Sequence, residues 1–232
     1  MTPDFKYFLL GLSHAHSHSL RGLFTFCLPV GIVAWLMFQL VMKRPVTLLA
    51  PRSEATRLWA LASTPVRLGW RSILAAAAAI IVGAASHLLW DTFTHVDGWG
   101  VRHIPALSRS LASFQGYQVN WFKILQHGST VAGLLLLSRV YLHWRRKAEP
   151  LPTTPALPLA WKRLSLAVIV VVPTVAAAIY SGASAAAITN LPSLQPFAWR
   201  FVTSGLGFGI LALVLYSLVT TLAMARPTTT PR

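Results

Sequence analysis

Five apolar blocks, at about 23–42, 73–90, 124–142, 164–187 and 201–225, leave this chain few ways to fold. Each approaches the roughly 20 residues that a helix needs to cross a hydrocarbon core. Of the 232 residues, 55% are hydrophobic and only 11% are charged, against about 25% charged in an average soluble domain. The sequence therefore predicts an all-α, polytopic membrane helix bundle of about five transmembrane helices, with the lipid bilayer as its partner. Arg139 lies in the last turn of the third block, where a long side chain reaches the interface. Pro173 is expected to kink the fourth block, and Gly205, Gly207 and Gly209 suit the fifth to close helix approach. Trp70, Trp90, Trp121, Trp144, Trp161 and Trp199 stand at block ends, as an interfacial aromatic belt requires.

The net charge is +15, from 20 Lys and Arg against 5 Asp and Glu. In a soluble protein that excess suggests nucleic acid. Here the cations gather between apolar blocks, where anionic headgroups and the insertion rule account for them, so no nucleic-acid partner is expected. With five crossings, 14 of the cations share a side with loops 43–72 and 139–163 and the C-terminus, and 6 lie opposite. The positive-inside rule then places the C-terminus in the cytoplasm and the N-terminus outside a bacterial cytoplasmic membrane. Residues 1–22 lack the pattern of a cleavable signal peptide. Cys27 is the lone cysteine, so no intrachain disulfide forms.

The polar residues that carry chemistry fall into two short clusters. His14-Ala-His16-Ser-His18 precedes the first block, and His87-Leu-Leu-Trp-Asp91-Thr-Phe-Thr-His95 closes the second. Steps of four put His87, Asp91 and His95 on one helical face. A zinc-like divalent cation takes imidazole nitrogens and carboxylate oxygens, and a catalytic site keeps one position for water. A bridging carboxylate also allows two metals. Asp4 and His18 are expected to complete the shell. The competing reading of the triplet is a hydrogen-bonded set at a helix end that satisfies polar groups without metal. His14 and His16 are weaker ligand candidates, and a histidine tract often simply titrates in solvent. His127, at the start of the third block, reads equally as an interfacial residue, a ligand or a proton donor. His103 reads as a loop residue, Asp97 beside Gly98 as a turn former, and His143 falls on the wrong side. On the orientation above, the other seven histidines and all three aspartates gather at the outer face, which is the sequence's best argument for a single site.

Several stretches resemble a bacterial membrane family known as domain of unknown function 4184. They are Pro3-Asp4-Phe5, Tyr7-Phe8, Ser17-His18-Ser19-Leu20 before Gly22, and Leu28-Pro29-Val30-Gly31. Ser86 through His95, then Gly98-Trp99, and Leu125-Gln126-His127-Gly128-Ser129 add to the likeness. The stretch around His87 is the specific one, and the resemblance covers roughly residues 1–142, with most of the remainder alike in hydropathy. That family is in turn similar to inner-membrane metal-dependent hydrolases, which share an HxxxD-type signature with zinc-dependent phospholipase C and related nucleases. The resemblance implies metal ligation by Asp4, His18, His87, Asp91 and His95. It also implies a Ser-His-Pro segment ahead of Pro-Asp-Phe, which the sequence opening Met1-Thr2-Pro3-Asp4 does not contain.

The expected organisation is a membrane domain with the metal site over 1–142, further membrane helices over 143–225, and a disordered tail over 226–232. An amphipathic stretch near Leu107–Phe114 is expected to lie over the site as a lid. The function expected first is hydrolysis of an ester or phosphoester, lipid-linked by virtue of its depth, at the extracytoplasmic face. A divalent metal, zinc by its donor set, serves as cofactor, with Asp4 or His127 as general base. A non-catalytic metal-binding protein and a transporter or scaffold are the alternatives. Ion coupling is disfavoured because the span interiors hold no acids.

Overall fold

Backbone N–H and C=O groups have no water to bond within a bilayer, so each apolar block must satisfy them internally as a helix. A computed structural model describes residues 2–7, 17–114, 116–185, 188 and 191–225. A short 3-10 helix, Thr2–Tyr7, precedes the bundle. The elements that follow are α1 (Leu20–Leu49), α2 (Arg52–Ser63), α3 (Trp70–Thr94), α4 (Trp99–His103) and α5 (Pro105–Ser108). Then come strands β1 (Ser110–Phe114) and β2 (Tyr117–Asn120), and helices α6 (Trp121–Lys147), α7 (Leu159–Ala185) and α8 (Leu191–Ala225). The tail 226–232, His14 and His16 lie outside the described residues.

Five long helices match the five apolar blocks. Among the described residues, four stretches are both long and apolar enough to cross a membrane: Leu20–Leu49, Trp70–His103, Leu159–Gly182 and Ser193–Met224. The remaining long helix, α6, is diluted by Gln126, His127, Ser129, Thr130 and Arg139. Its contacts nevertheless reach both ends of the bundle. Near its start, the indole N–H of Trp90 on α3 donates to Ser129 Oγ at 3.2 Å. Near its end, Tyr141 and Arg145 donate to Glu54 of α2 at 2.5 and 2.6 Å. At 27 residues, or roughly 40 Å, α6 runs the length of the bundle antiparallel to α3.

The same reasoning orders the others. Lys162, in the first turn of α7, donates to Ala50 O just past the end of α1. Tyr7 meets Trp199 of α8 edge-on at 5.1 Å, at the N-terminal end. Tyr216 and Thr221 of α8 donate to Pro45 O and Val41 O near the end of α1, at 3.1 and 3.2 Å. Five antiparallel passes therefore put the 3-10 helix and the last turn of α3 at one end, and the end of α8 at the other.

Helices α1 and α3 pack closely because a glycine meets an aliphatic side chain. A Cβ on Gly31 would sit 2.7 Å from Ile80. Directly toward the N-terminal end, Leu23, Phe26, Cys27 and Ala84 form a buried cluster, with Phe5, Val30, Ile81, Ala85 and Leu88 against it. Helix α1 is not regular throughout, since Leu23–Cys27 and Phe38–Met42 are π-helical. Helix α7 continues through Pro173. Most other side chains on α6, α7 and α8 are exposed, as lipid-facing surface must be.

The stretch 107–114, expected to be one amphipathic element, is divided. Its first part ends α5, and Ser110–Phe114 pairs antiparallel with Tyr117–Asn120. Gly116, with φ 82°, supplies the left-handed residue that this tight turn requires. Asn120 Nδ2 donates to Ser108 O at 2.7 Å, tying the end of β2 to the end of α5.

Glu54 is held below the usual carboxylate range, first by the Tyr141 hydroxyl and then by Arg145. A lowered folded-state value means that this link is fully present above pH about 4.5, the free glutamate value, and is lost as pH falls through the lowered one. Thermal melting of Glu54→Gln is expected to start a few degrees lower at neutral pH. Its acid loss of stability should be shallower than that of the wild type.

Candidate metal centre

Three separate segments bring acids and imidazoles to one end of the bundle. The 3-10 helix contributes Asp4 from its first turn, with Pro3 and Lys6 buried beneath it. His18 lies just ahead of the N-cap of α1, where the Ser19 hydroxyl accepts from Gly22 N at 3.0 Å. That cap fixes where the helix starts and thus where His18 sits. Ser17, 2% exposed, has its hydroxyl 3.0 Å from His18 Nδ1. A partner on one ring nitrogen orients the other toward its ligand, here toward the carboxylates. His87 and Asp91 come from consecutive turns of α3.

The resulting distances are short. His87 Nε2 lies 3.1 Å from Asp4 Oδ2 and 3.3 Å from Asp91 Oδ2. His18 Nε2 lies 3.4 Å from Asp4 Oδ1 and 3.7 Å from Asp91 Oδ2. Among the described residues, Asp4, His18 and His87 offer one ligand atom each, all within 4.8 Å of one another. Asp91 borders this trio through Oδ2, and its other oxygen, Oδ1, faces His95 Nδ1 at 3.5 Å. The side chains of Asp4, His18, His87 and Asp91 are between 15% and 33% exposed, and His95 is 54% exposed.

One atom tests whether this is simply a hydrogen-bonded set. His87 Nε2 is buried with carboxylate oxygens of Asp4 and Asp91 within 3.3 Å, and although it helps hold the Asp4 carboxyl down, neither oxygen lies in good hydrogen-bond line with it. A buried polar nitrogen without a directed partner is costly and uncommon. A nitrogen lone pair beside convergent carboxylate oxygens is the donor set of a divalent cation, and zinc suits it best. The residues present therefore fit such an ion.

Electrostatics agree with an anionic centre. Burial pushes the Asp4 carboxyl up, but the imidazoles of His87 and His18 outweigh it and hold the group below its usual value. Tyr7 is pushed up by burial and by the charges of Asp4 and Asp91. Lys6, pushed down by burial, lies over the Tyr7 ring at 4.4 Å from its centroid.

Other residues singled out in the sequence lie elsewhere. His127 is exposed on α6, off the face that carries Gly128 and Ser129 toward α3. His103 stacks on Trp99 at 4.6 Å and closes on its own helix through Trp99 O. Asp97 is exposed in the turn where Gly98 N donates to His95 O at 2.8 Å. His143 is exposed on the last part of α6, toward the opposite end. The orienting role of Ser17 and the packing role of Gly98 have no separate mark in the sequence, though Ser19 before an apolar run is a readable cap.

The family model described as a domain of unknown function (DUF4184) matches residues 1–218, and the chain belongs to that family. No curated protein and no solved structure matches it.

Gly98 locks the turn that carries Asp91. A Cβ there would meet Thr92 O at 2.3 Å and Asp91 O at 2.9 Å, both backbone atoms. Gly98→Ala is expected to displace the end of α3 and weaken the binding of added zinc by about tenfold, as losses of supporting residues do. Competition against a graded chelator would measure it. Gly128→Ala, at a position with open space, should change nothing.

Proposed function

We propose that this protein is an integral-membrane, metal-dependent hydrolase of an ester or phosphoester. The observation that carries the reading is the convergence of the buried His87 Nε2 with the ligand atoms of Asp4 and His18, all within 4.8 Å of one another. Asp4, His18 and His87 are the ligands of a divalent cation, zinc by donor type. When bound, such an ion lowers the pKa of its water to about 7 and polarises a carbonyl or phosphoryl oxygen.

The chain's own groups supply the rest. Asp91 touches both imidazoles through one oxygen and His95 through the other. It is placed to accept the proton of the attacking water, and the exposed His95 relays that proton to solvent or to the departing alcohol. Ser17 keeps His18 turned inward. Three protein ligands with partly exposed side chains leave access for water and substrate, which favours a catalytic over a closed structural site.

Depth and charge suggest the substrate and the side. The centre lies where α1 begins and α3 ends, so an ester at headgroup depth, on a lipid or a lipid-linked molecule, reaches it without leaving the membrane. The cation distribution, 14 against 6, favours an extracytoplasmic centre in a cell membrane with the C-terminus in the cytoplasm.

The test combines elemental analysis with hydrolysis of a glycerophospholipid and of a p-nitrophenyl phosphodiester by purified protein. Wild type is expected to carry zinc and to cleave one of them. His87→Ala should lose the metal. Asp91→Asn should keep most of it while turnover drops about a hundredfold or more. Equal metal content in wild type and His87→Ala would sink the proposal.

A further inference from the structure

A second polar site lies at the opposite end of the bundle and contains no carboxylate. A cavity of about 370 Å³ opens between the end of α1, the segment after α2, and the end of α8. Lys43 and Arg44 line it, with Thr64 and Thr221, and its remaining wall includes Leu40 and Met224. Both cations are held in place by the end of α2. Lys43 Nζ donates to Thr64 O at 2.5 Å, and Arg44 Nη2 donates to Ser63 O at 3.2 Å. An ammonium has three donors and a guanidinium five, so each cation keeps N–H groups for an anion after its bond to the helix end.

The position of this cavity decides what it suits. From Leu20 to Lys43 the helix rises roughly 35 Å, about the thickness of a hydrocarbon core. The cationic half thus stands at the membrane–water boundary opposite the histidine–carboxylate centre. Its apolar half faces the other way, where Leu40 is 56% and Met224 46% exposed at the ends of two membrane helices. A cavity with two cations on its water side and aliphatic side chains on its lipid side matches one kind of molecule. That molecule carries a phosphate on top of acyl chains.

We infer that this cavity is a binding site for a single anionic phospholipid, its phosphate held by Lys43 and Arg44 and its acyl chains lying along Leu40 and Met224. A bound headgroup there adds to the bonds of Lys43, Arg44, Tyr216 and Thr221 that already join the ends of α1, α2 and α8. The inference is independent of the hydrolase reading, because the two sites share no residue and lie at opposite ends.

Native mass spectrometry of the full chain, released from nanodiscs of mixed phosphatidylglycerol and phosphatidylcholine, tests it. Wild type is expected to retain phosphatidylglycerol in preference to phosphatidylcholine. The pair Lys43→Gln and Arg44→Gln should reduce that retention roughly tenfold. The pair Arg146→Gln and Lys147→Gln, which removes equal charge from the end of α6, should leave it unchanged. The exchange Lys43→Arg with Arg44→Lys keeps both charges and should retain the lipid, which separates charge recognition from the capping of α2. Equal retention of the two lipids by wild type overturns the inference, as does equal loss in both glutamine pairs or loss in the charge-preserving exchange. Displacement of phosphatidylglycerol by millimolar inorganic phosphate assigns the cavity to a soluble anion and overturns the lipid.

Discussion

Two carboxylates and two imidazoles share a few ångströms at the rim of an apolar bundle, and the surrounding structure exists to keep them there. Each alone is expensive to desolvate. Together they compensate, as the downward pull of His87 and His18 on Asp4 shows. Such mutual compensation works only at short range, so three segments far apart in sequence must converge to within about an ångström of tolerance. The Ser19 cap, the Gly31–Ile80 contact, the core around Cys27 and the glycine turn after α3 each fix one coordinate of that convergence.

The bundle is chemically polar from end to end. Acids and imidazoles gather where α1 starts, and arginines and lysines gather where it stops. Glu54 and Glu149 both lie toward the cationic end, and Glu54 is taken up by Tyr141 and Arg145 in joining α2 to α6. Neither lines the cavity of Lys43 and Arg44.

Much of this was legible in the sequence. Each apolar block lies within or against a longer helix because hydropathy marks only the hydrocarbon-facing middle. The ends, such as Trp70–Ser72 and Arg145–Lys147, remain helical at the interface with polar side chains that no hydropathy window counts. The four-residue spacing of His87 and Asp91 gave their common face directly, because helical geometry is local, whereas His95 falls just past the end of α3 in extended backbone and meets Asp91 from there. The meeting of Asp4 with His87 is non-local and was reached only through topology, which brings the N-terminal segment and the end of the second block to one face. The hairpin over 110–120 was missed because its strands are short and neither carries a buried residue, so neither burial nor periodicity singled them out. Which face of α6 turns to α3 was equally hidden, since it depends on the Trp90–Ser129 bond and not on spacing.

The first membrane helix carries a widened turn at Leu23–Cys27, immediately after the segment that positions His18. A π turn accommodates one more residue than an α turn over the same rise. The chain ahead of it is therefore rotated relative to the frame that Gly31 and Val30 set against α3. Across that turn Leu23, Phe26 and Cys27 are buried against Ala84 and its neighbours on α3, and the imidazole before them reaches Asp91 of the same helix. The helix spends one residue of irregularity to reconcile two registers, one dictated by packing and the other by chemistry.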